Sequence, residues 1–394
     1  MPDRSPFLLD PSVVFLNHGS FGAVPEPVFA AYQRLQFDME RQPVEWLQRR
    51  TDTLMADARA GLAAYVGCAA DDLVYFPNPT TAINMVAKSL ALEPGDEILS
   101  TDHEYGAMDR TWKVICNSTG ARYVQMHVPM PVTSVADVVE RIWAGVTDRT
   151  RVFFISHVTS GSALTFPVAE LVARAKAAGL ITIVDGAHVP GHLPLDLTAL
   201  GADIYTGACH KWMCGPKGSS FLYARPSAQH WLQPLVVSWG WEAAAPSASR
   251  FVDHHQWQGT RDLAPFLATL VAIDWMAAND WPVVQQRCHE RTVEALARVQ
   301  EVTGLPALYP DDPTFGWFAQ MAVAPLPDVD VVVLKQRLYE EFRVELPVHR
   351  FAGQVVARIS IAMYNTDSDI DALSHALETL LPQLACHPVL PQRS

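Results

Sequence analysis

Lysine is scarce in this chain: six among 394 residues, at positions 88, 113, 176, 211, 217 and 335. Any covalent chemistry on a lysine amine is therefore confined to a short list. Cysteine is equally sparse. The six, at 68, 116, 209, 214, 288 and 386, make no CxxC pair. They read as reduced thiols, so neither a disulfide framework nor a metal site is expected. Basic residues are outnumbered, 29 to 42, for a net charge of −13, which argues against nucleic acid or an anionic membrane as the main partner. No apolar run approaches the roughly 20 residues that span a bilayer. The opening MPDRSPFLLD lacks a secretory apolar core, so a cytoplasmic protein is expected. What the chain does have is 49% hydrophobic and 18% charged residues with a mean hydropathy of +0.07. That is globular composition and excludes a disordered chain.

No repeat or low-complexity tract interrupts the sequence. Short apolar runs alternate with helical stretches, the pattern of βαβ units around a largely parallel sheet. Residues 80–92 predict a helix. Strands are predicted at 97–100, 151–156, 181–184, 204–206 and 219–223, with a helix over 167–178 that proline opens and Gly179 closes. Beyond residue 260 the pattern changes: 263–298 mostly helical, 315–323 strand, 329–342 helix, 355–361 strand, then a helix opened by Thr366 with capping-box spacing to Asp369. The expected fold class is α/β: a mostly parallel, seven-stranded-type sheet with flanking helices, plus a smaller α+β C-terminal domain. The boundaries are placed at 16–262 for the large domain and 263–394 for the small one, with 1–15 packing near the latter.

Lys88, Lys113, Lys176 and Lys335 fall on polar helical faces, and Lys217 lies in the turn GPKG. Lys211 differs, because it follows a short strand in TGACHKWMCGPKG. A lysine desolvated beside a sheet deprotonates easily and suits attachment to an aldehyde. Twenty-six residues upstream, Asp185 ends the apolar strand of VDGAH. Alone it reads as a strand-end carboxylate capping a turn. Over a buried sheet it wants a cationic partner, such as a protonated ring nitrogen. NPTT at 78–81 is a helix start, either an ordinary threonine cap or an anion site of free amides and two hydroxyls. Together the three pieces describe one ligand: phosphate, ring nitrogen and aldehyde, which is pyridoxal 5′-phosphate (PLP).

At this point the chain resembles the fold-type I PLP enzymes of the class V aminotransferase group, in the isopenicillin N epimerase-like branch that also includes C–S lyases. The resemblance rests on FLNHGSFGAVP (15–25), NPTTAINMVA (78–87), TDHEYGA (101–107), SHVTSG (156–161), VDGAHVPG (184–191), HKW (210–212), GPKG (215–218), VSWGWE (237–242), QGTRD (258–262) and ARISIAMYNT (357–366). It implies that Lys211 holds the cofactor aldehyde and moves the Cα proton. It places Asp185 at the pyridinium nitrogen and His188 beside the ring and its phenolate oxygen. Thr80, Thr81 and His210 should bind phosphate, and Thr260 should reach the phosphate of a second subunit, so a homodimer is implied. Tyr105 should stack on the ring, with His103 as the second choice. Arg358 should fork onto the substrate carboxylate, and Asn17 and His18 should close that end. Ser160 bonds either the phenolate oxygen or a turn amide. Where the family often carries a serine before the lysine, this chain has Ala208 and Cys209.

The substrate is expected to be a small-molecule amino acid, and the first reading is β-elimination from an S-substituted cysteine. Epimerisation of the isopenicillin N type is the alternative, with Tyr105, His103 and His349 as candidates for the second acid. Decarboxylation or transamination on the same scaffold is a further one. Persulfide-forming desulfuration is not expected: the loop 344–358 has no cysteine, and Cys386 lies near the end. Trp46, Trp239 and Trp241 fall in segments that the resemblance places at the mouth of the site, which would suit a bulky substrate.

Overall fold

The computed structural model describes residues 6–310 and 315–384. Its centre is a seven-stranded sheet: β1 (Leu73–Phe76), β2 (Glu97–Thr101), β3 (Arg122–Met126), β4 (Thr150–Ser156), β5 (Ile181–Gly186), β6 (Ile204–Ala208) and β7 (Ser220–Ala224). Across the sheet the order is β1-β7-β6-β5-β4-β2-β3. Strands β2 to β6 pair in parallel, and β7 is reversed against both β6 and β1.

Except in the edge strand β3, which is only partly buried, the apolar runs of these strands follow from burial on both faces. Successive side chains point to opposite sides of a strand. Tyr75, Phe153, Ile155, Val184 and Phe221 therefore enter one core, and Val74, Phe76, Val152, Phe154, Ile183 and Leu222 enter the other. Helices Pro79–Ser89 and Gly106–Thr119 cover the second layer through Ile83, Val86, Met108 and Trp112. Helices Val168–Ala177 and Ala264–Ala278 cover the first through Leu171, Val172 and Phe266. Each large side chain buried in this way contributes about 1.5–3 kcal/mol.

After helix Trp281–Thr303 comes a three-stranded antiparallel sheet of β8 (Met321–Leu326), β9 (Val348–Phe351) and β10 (Gln354–Ser360), ordered β9-β10-β8. Helices Val331–Phe342 and Asp367–Leu384 accompany it. The strand predicted over 315–323 starts only at Met321. Before that point the backbone is bonded elsewhere: Trp317 O accepts from Thr165 N–H, and Gln320 N–H donates to His192 Nε2 at 2.8 Å. The helix predicted over 80–92 ends at Ser89, where Leu90 turns extended (ψ 128) toward the Pro94–Gly95 turn.

The N-terminal segment ties the two sheets together. Val14–Phe15 pairs in parallel with Val344–Glu345, and Asn17 bridges Ser360. The chain then crosses Lys211 so closely that a Cβ on Gly22 would lie 2.3 Å from His210 O and 2.8 Å from Lys211 O. Gly22 also has φ +70, so two separate constraints exclude a larger residue there. Among the described residues, no helix is long and apolar enough to cross a membrane.

Candidate active site

Three strands end at one place. Ser156, the last residue of β4, pairs with Asp185 on β5, and Asp185 pairs with Thr206 on β6. Three residues after Ala208 closes β6 comes Lys211. The carboxyl ends of parallel strands are where open α/β sheets leave a crevice. Here that crevice is a cavity of ≈ 260 Å³ whose walls include Asp185, His188, Lys211, Thr80, Tyr105 and Arg358. The structure thus gathers into one space residues that the sequence separates by up to 339 positions, from Gly19 to Arg358.

The floor is buried and electrostatically loaded. Lys211 Nζ lies 3.1 Å from His188 Nε2. Burial pushes its ammonium down to about 8, helped by the Arg358 charge and opposed by Asp185. Asp185 is 4% exposed and accepts from Ala187 N–H at 3.0 Å. Burial raises its carboxyl, against the pull of that N–H and of Lys211. Burial also drives His188 well below the ordinary imidazole range, so its ring is neutral.

At one end of the cavity is the start of helix Pro79–Ser89. Asn78 caps it, its Oδ1 accepting from Thr81 N–H at 2.8 Å and from Thr81 Oγ1 at 3.0 Å. The Thr81 hydroxyl is thus engaged in the cap, and Asn78, Pro79 and Thr80 line the cavity in its place. His210 also lines it, with Nδ1 donating to Ser219 O at 2.8 Å and burial pushing the ring down to about 4.

At the other end Arg358, 6% exposed, is aimed by neutral groups. Nη1 donates to Ser160 O at 2.8 Å and Ser160 Oγ at 3.2 Å, and Nη2 donates to Ser20 Oγ at 2.6 Å. Among the described residues no carboxylate bonds it, and its buried Nε has no partner. Burial pushes the guanidinium down to about 10. A buried cation without an anion is costly, and here only neutral oxygens offset that cost. Ser160 therefore bonds the arginine in this structure.

Asn17 and His18 lie outside the lining and hold the crossing strap. Asn17 donates to Glu345 and accepts from Ser20 Oγ at 2.6 Å, with Arg358 Nη2 3.5 Å from its Oδ1. His18 Nε2 donates to Lys211 O at 3.1 Å, and Nδ1 accepts from Tyr364 at 3.0 Å. Tyr105 sits just before helix Gly106–Thr119, 47% exposed, and lines the cavity. His103 is buried outside the lining, with both ring nitrogens bonded, to Ser162 and Val128 O. His349 Nε2 donates to Gly161 O. Thr260 is exposed and lines a separate cleft of ≈ 730 Å³ with Trp239 and Trp257. Trp46, expected at a mouth, is 3% exposed within the core, whereas Trp239 is 86% exposed. Its apolar neighbours draw Trp46 inward. Cys386 lies outside the described residues. The five other cysteines do not line the cavity, and the described residues hold no cluster able to bind a metal.

Sequence reasoning missed Glu104. Its Oε2 accepts from Ser156 N–H at 2.9 Å and Ser156 Oγ at 2.6 Å, and its Oε1 accepts from Thr101 Oγ1 at 2.7 Å. Burial pushes its carboxyl up to about 8, with Asp185 adding to the rise. It fastens the loop carrying Tyr105 to the end of β4. Its only signal was its place in TDHEYGA, because a glutamate beside a loop aromatic ordinarily faces water.

The family profile for class V aminotransferases matches residues 15–321. Isopenicillin N epimerase of Streptomyces clavuligerus is 35% identical over 387 residues, covering 96% of this chain and 97% of that protein. A probable chloroplastic L-cysteine desulfhydrase of Arabidopsis thaliana is 27% identical, covering 94% and 84%. Among solved structures, a C-DES mutant with glycine covalently linked to its PLP cofactor superposes with a TM-score of 0.84. It is 21% identical and covers 96% of this chain and all of that one. This last likeness bears on the fold: the α/β architecture with a mostly parallel sheet is shared.

Proposed function

We infer, from a chain that belongs to the class V aminotransferase family, that it is a PLP-dependent enzyme acting on an amino acid through Cα deprotonation, with C–S bond cleavage as its reaction. The donor set fits the cofactor. A buried amine, a buried carboxylate with one protein donor, and a capped helix start with a histidine beside it would hold the aldehyde, the ring nitrogen and the phosphate. Lys211, Asp185 and Asn78–Thr80 with His210 take those roles, and His188 lies beside the amine. His210 would take a proton to donate to phosphate, since its Nδ1–H is already bonded to Ser219 O. Arg358 would receive the substrate carboxylate, its fork already oriented by Ser20 and Ser160.

When bound, the cofactor supplies an electron sink for the charge left on Cα. Lys211, its ammonium pushed down to about 8, takes the Cα proton and holds it inside the cavity. That proton is then available to the departing sulfur. The balanced outcome is an S-substituted cysteine plus water giving a thiol, pyruvate and ammonium. Tyr105, half-exposed, lines the same cavity.

The observation that carries elimination is that two of the three candidates for a second acid lie outside the lining of the cavity that holds Lys211. Of Tyr105, His103 and His349, only Tyr105 lines the cavity, and both nitrogens of His103 are bonded. Elimination requires one base, whereas inversion also requires an acid on the opposite face. Epimerisation remains the second reading, favoured by the 35% identity to an epimerase along nearly the whole chain, with Tyr105 as its acid. Incubation with L-S-alkylcysteines and with L-α-aminoadipyl peptides separates the two. Pyruvate and thiol release is expected from the former. Deuterium uptake at Cα with an intact, inverted peptide and no pyruvate would replace the lyase reading by the epimerase one. We read the active form as a cytoplasmic homodimer, supported by the exposed cleft around Thr260 and Trp239 on a surface that a second subunit could complete.

A further inference from the structure

Trp212 follows Lys211 in the chain and is 1% exposed. Its indole Nε1–H donates to His188 Nδ1 at 3.3 Å. An indole nitrogen only donates, so the direction of this bond is not a matter of assignment. A neutral imidazole that accepts on Nδ1 carries its proton on Nε2. Nε2 is the atom that faces Lys211 Nζ at 3.1 Å. The doubly protonated ring would set its Nδ1–H against the indole N–H, two donors head to head.

The indole is itself held by two histidines whose tautomers are fixed in the same way. His192 stacks on it, centroids 4.1 Å apart and planes 12° from parallel. His192 Nε2 accepts from Gln320 N–H at 2.8 Å, so its Nδ1–H donates to the His188 carbonyl at 2.8 Å. On another side His18 lies with its ring centroid 5.0 Å away. It accepts on Nδ1 from Ala23 N–H at 3.4 Å and donates from Nε2 to Lys211 O at 3.1 Å. Gly191 leaves room for the tryptophan backbone: a Cβ there would lie 2.4 Å from the Trp212 carbonyl carbon. In each ring a partner that can only donate or only accept dictates where the proton sits.

We propose that Trp212 is a positioning residue that holds His188 in the Nε2–H tautomer and bars its imidazolium form, so that one proton is always presented to the edge where the Lys211 amine lies. The proposal deepens the reading of Lys211 as the aldehyde anchor and rests on it: the proton would then meet the phenolate oxygen beside that anchor. Without the indole, nothing among the described contacts would stop His188 from moving its proton to Nδ1 and turning a lone pair toward the amine.

The test begins on the cofactor-free wild-type chain labelled with ¹⁵N-histidine. His188 should show a protonated Nε2 and an unprotonated Nδ1 above about pH 8, where the Lys211 amine is neutral and can accept. A proton on Nδ1, or on both nitrogens, would overturn the proposal, and this measurement needs no variant to fold. Trp212→Phe keeps the ring and loses the donor, so it should give mixed tautomers; an unchanged pattern also overturns the proposal. With PLP added, the apparent pKa of the cofactor's visible band should move by about one pH unit in Trp212→Phe, tenfold in the proton equilibrium. In a His188→Gln background, where no tautomer exists, Trp212→Phe should leave that pKa unmoved. Equal shifts in both backgrounds would reduce Trp212 to packing. If wild-type protein shows the expected tautomer but no visible band forms with PLP, the cofactor reading fails while the Trp212–His188 lock stands.

Discussion

The floor and the rim of the cavity are built differently. On the floor, Asp185 and His188 are buried and Lys211 is half-buried, and desolvation pushes the protonation of each. At the rim, Phe21 and Tyr105 are 68% and 47% exposed, and Thr260 lies in a cleft of its own. A preorganised, dry floor stabilises developing charge at no cost in reorganisation. An open rim leaves the choice of substrate to groups that can move or that another subunit supplies. The expectation is therefore that the floor sets the reaction type and the rim the substrate choice. Substitutions on the floor should be severe and insensitive to substrate, and those at the rim mild and substrate-dependent.

The largest effect is expected from Lys211→Ala. It should abolish the visible band formed with PLP and lower turnover by about 10⁴-fold or more, since it removes both anchor and base. Retained turnover on any substrate would break the contrast at its strongest point. Next comes Arg358→Lys. A lysine keeps the charge but not the fork, so KM for the amino acid should rise about tenfold or more with kcat less affected. A kcat loss at constant KM would mean that Arg358 acts on the reaction and not on binding.

Lys211 was legible in the sequence as a candidate, and the reason is physical; Arg358 was named only through the family resemblance. Lysine is rare in this chain, and only one of the six follows a strand in a setting that desolvates it. Five of the seven central strands were legible because burial on both faces leaves apolar runs such as FFIS, whereas Leu73–Phe76 and Arg122–Met126 were not read as strands. Glu104 was not legible, because its burial comes from β4, 52 positions away. Trp212 drew attention only as part of HKW, since the bond that sets it apart is one N–H to a ring 24 positions upstream. Thr81 and His18 sit in motifs of the right order, yet the fold uses their polar atoms for a cap and a strap. A motif conveys which residues come near a site, and only the hydrogen bonds separate those that face it from those that hold it.

Glu104 allows a smaller, purely thermodynamic test of the floor. Its folded value, about 8, lies above the 4.5 of an ordinary glutamate. Between those values the folded chain binds one proton more than the unfolded chain. Its contribution is therefore most favourable at low pH and is lost as pH rises from about 4.5 to about 8, levelling off beyond. Glu104→Gln removes that slope while keeping the shape. Its stability relative to wild type should climb by a few kcal/mol from pH 5 to pH 8, read from denaturant midpoints. A pH-independent difference would mean that the carboxylate stays charged, stabilised by Ser156 and Thr101, beside a charged Asp185.

The smallest effect is expected at the rim, from Thr260→Ala. Within one chain Thr260 is exposed and does not line the cavity that holds Lys211. Its hydroxyl can matter to the cofactor only by reaching the phosphate of a second copy. A hydroxyl donating to a charged group contributes about 1.5–3 kcal/mol when water is excluded and less where water competes. PLP affinity should therefore fall about fivefold, with no shift of the visible band and with recovery in Thr260→Ser. The subunit association measured beside it decides what the number means. An unchanged affinity in an intact dimer would show the floor to be complete within one chain. A fall that tracks dissociation would move Thr260 from phosphate binding to the interface, and the rim would then owe its openness to the isolated chain.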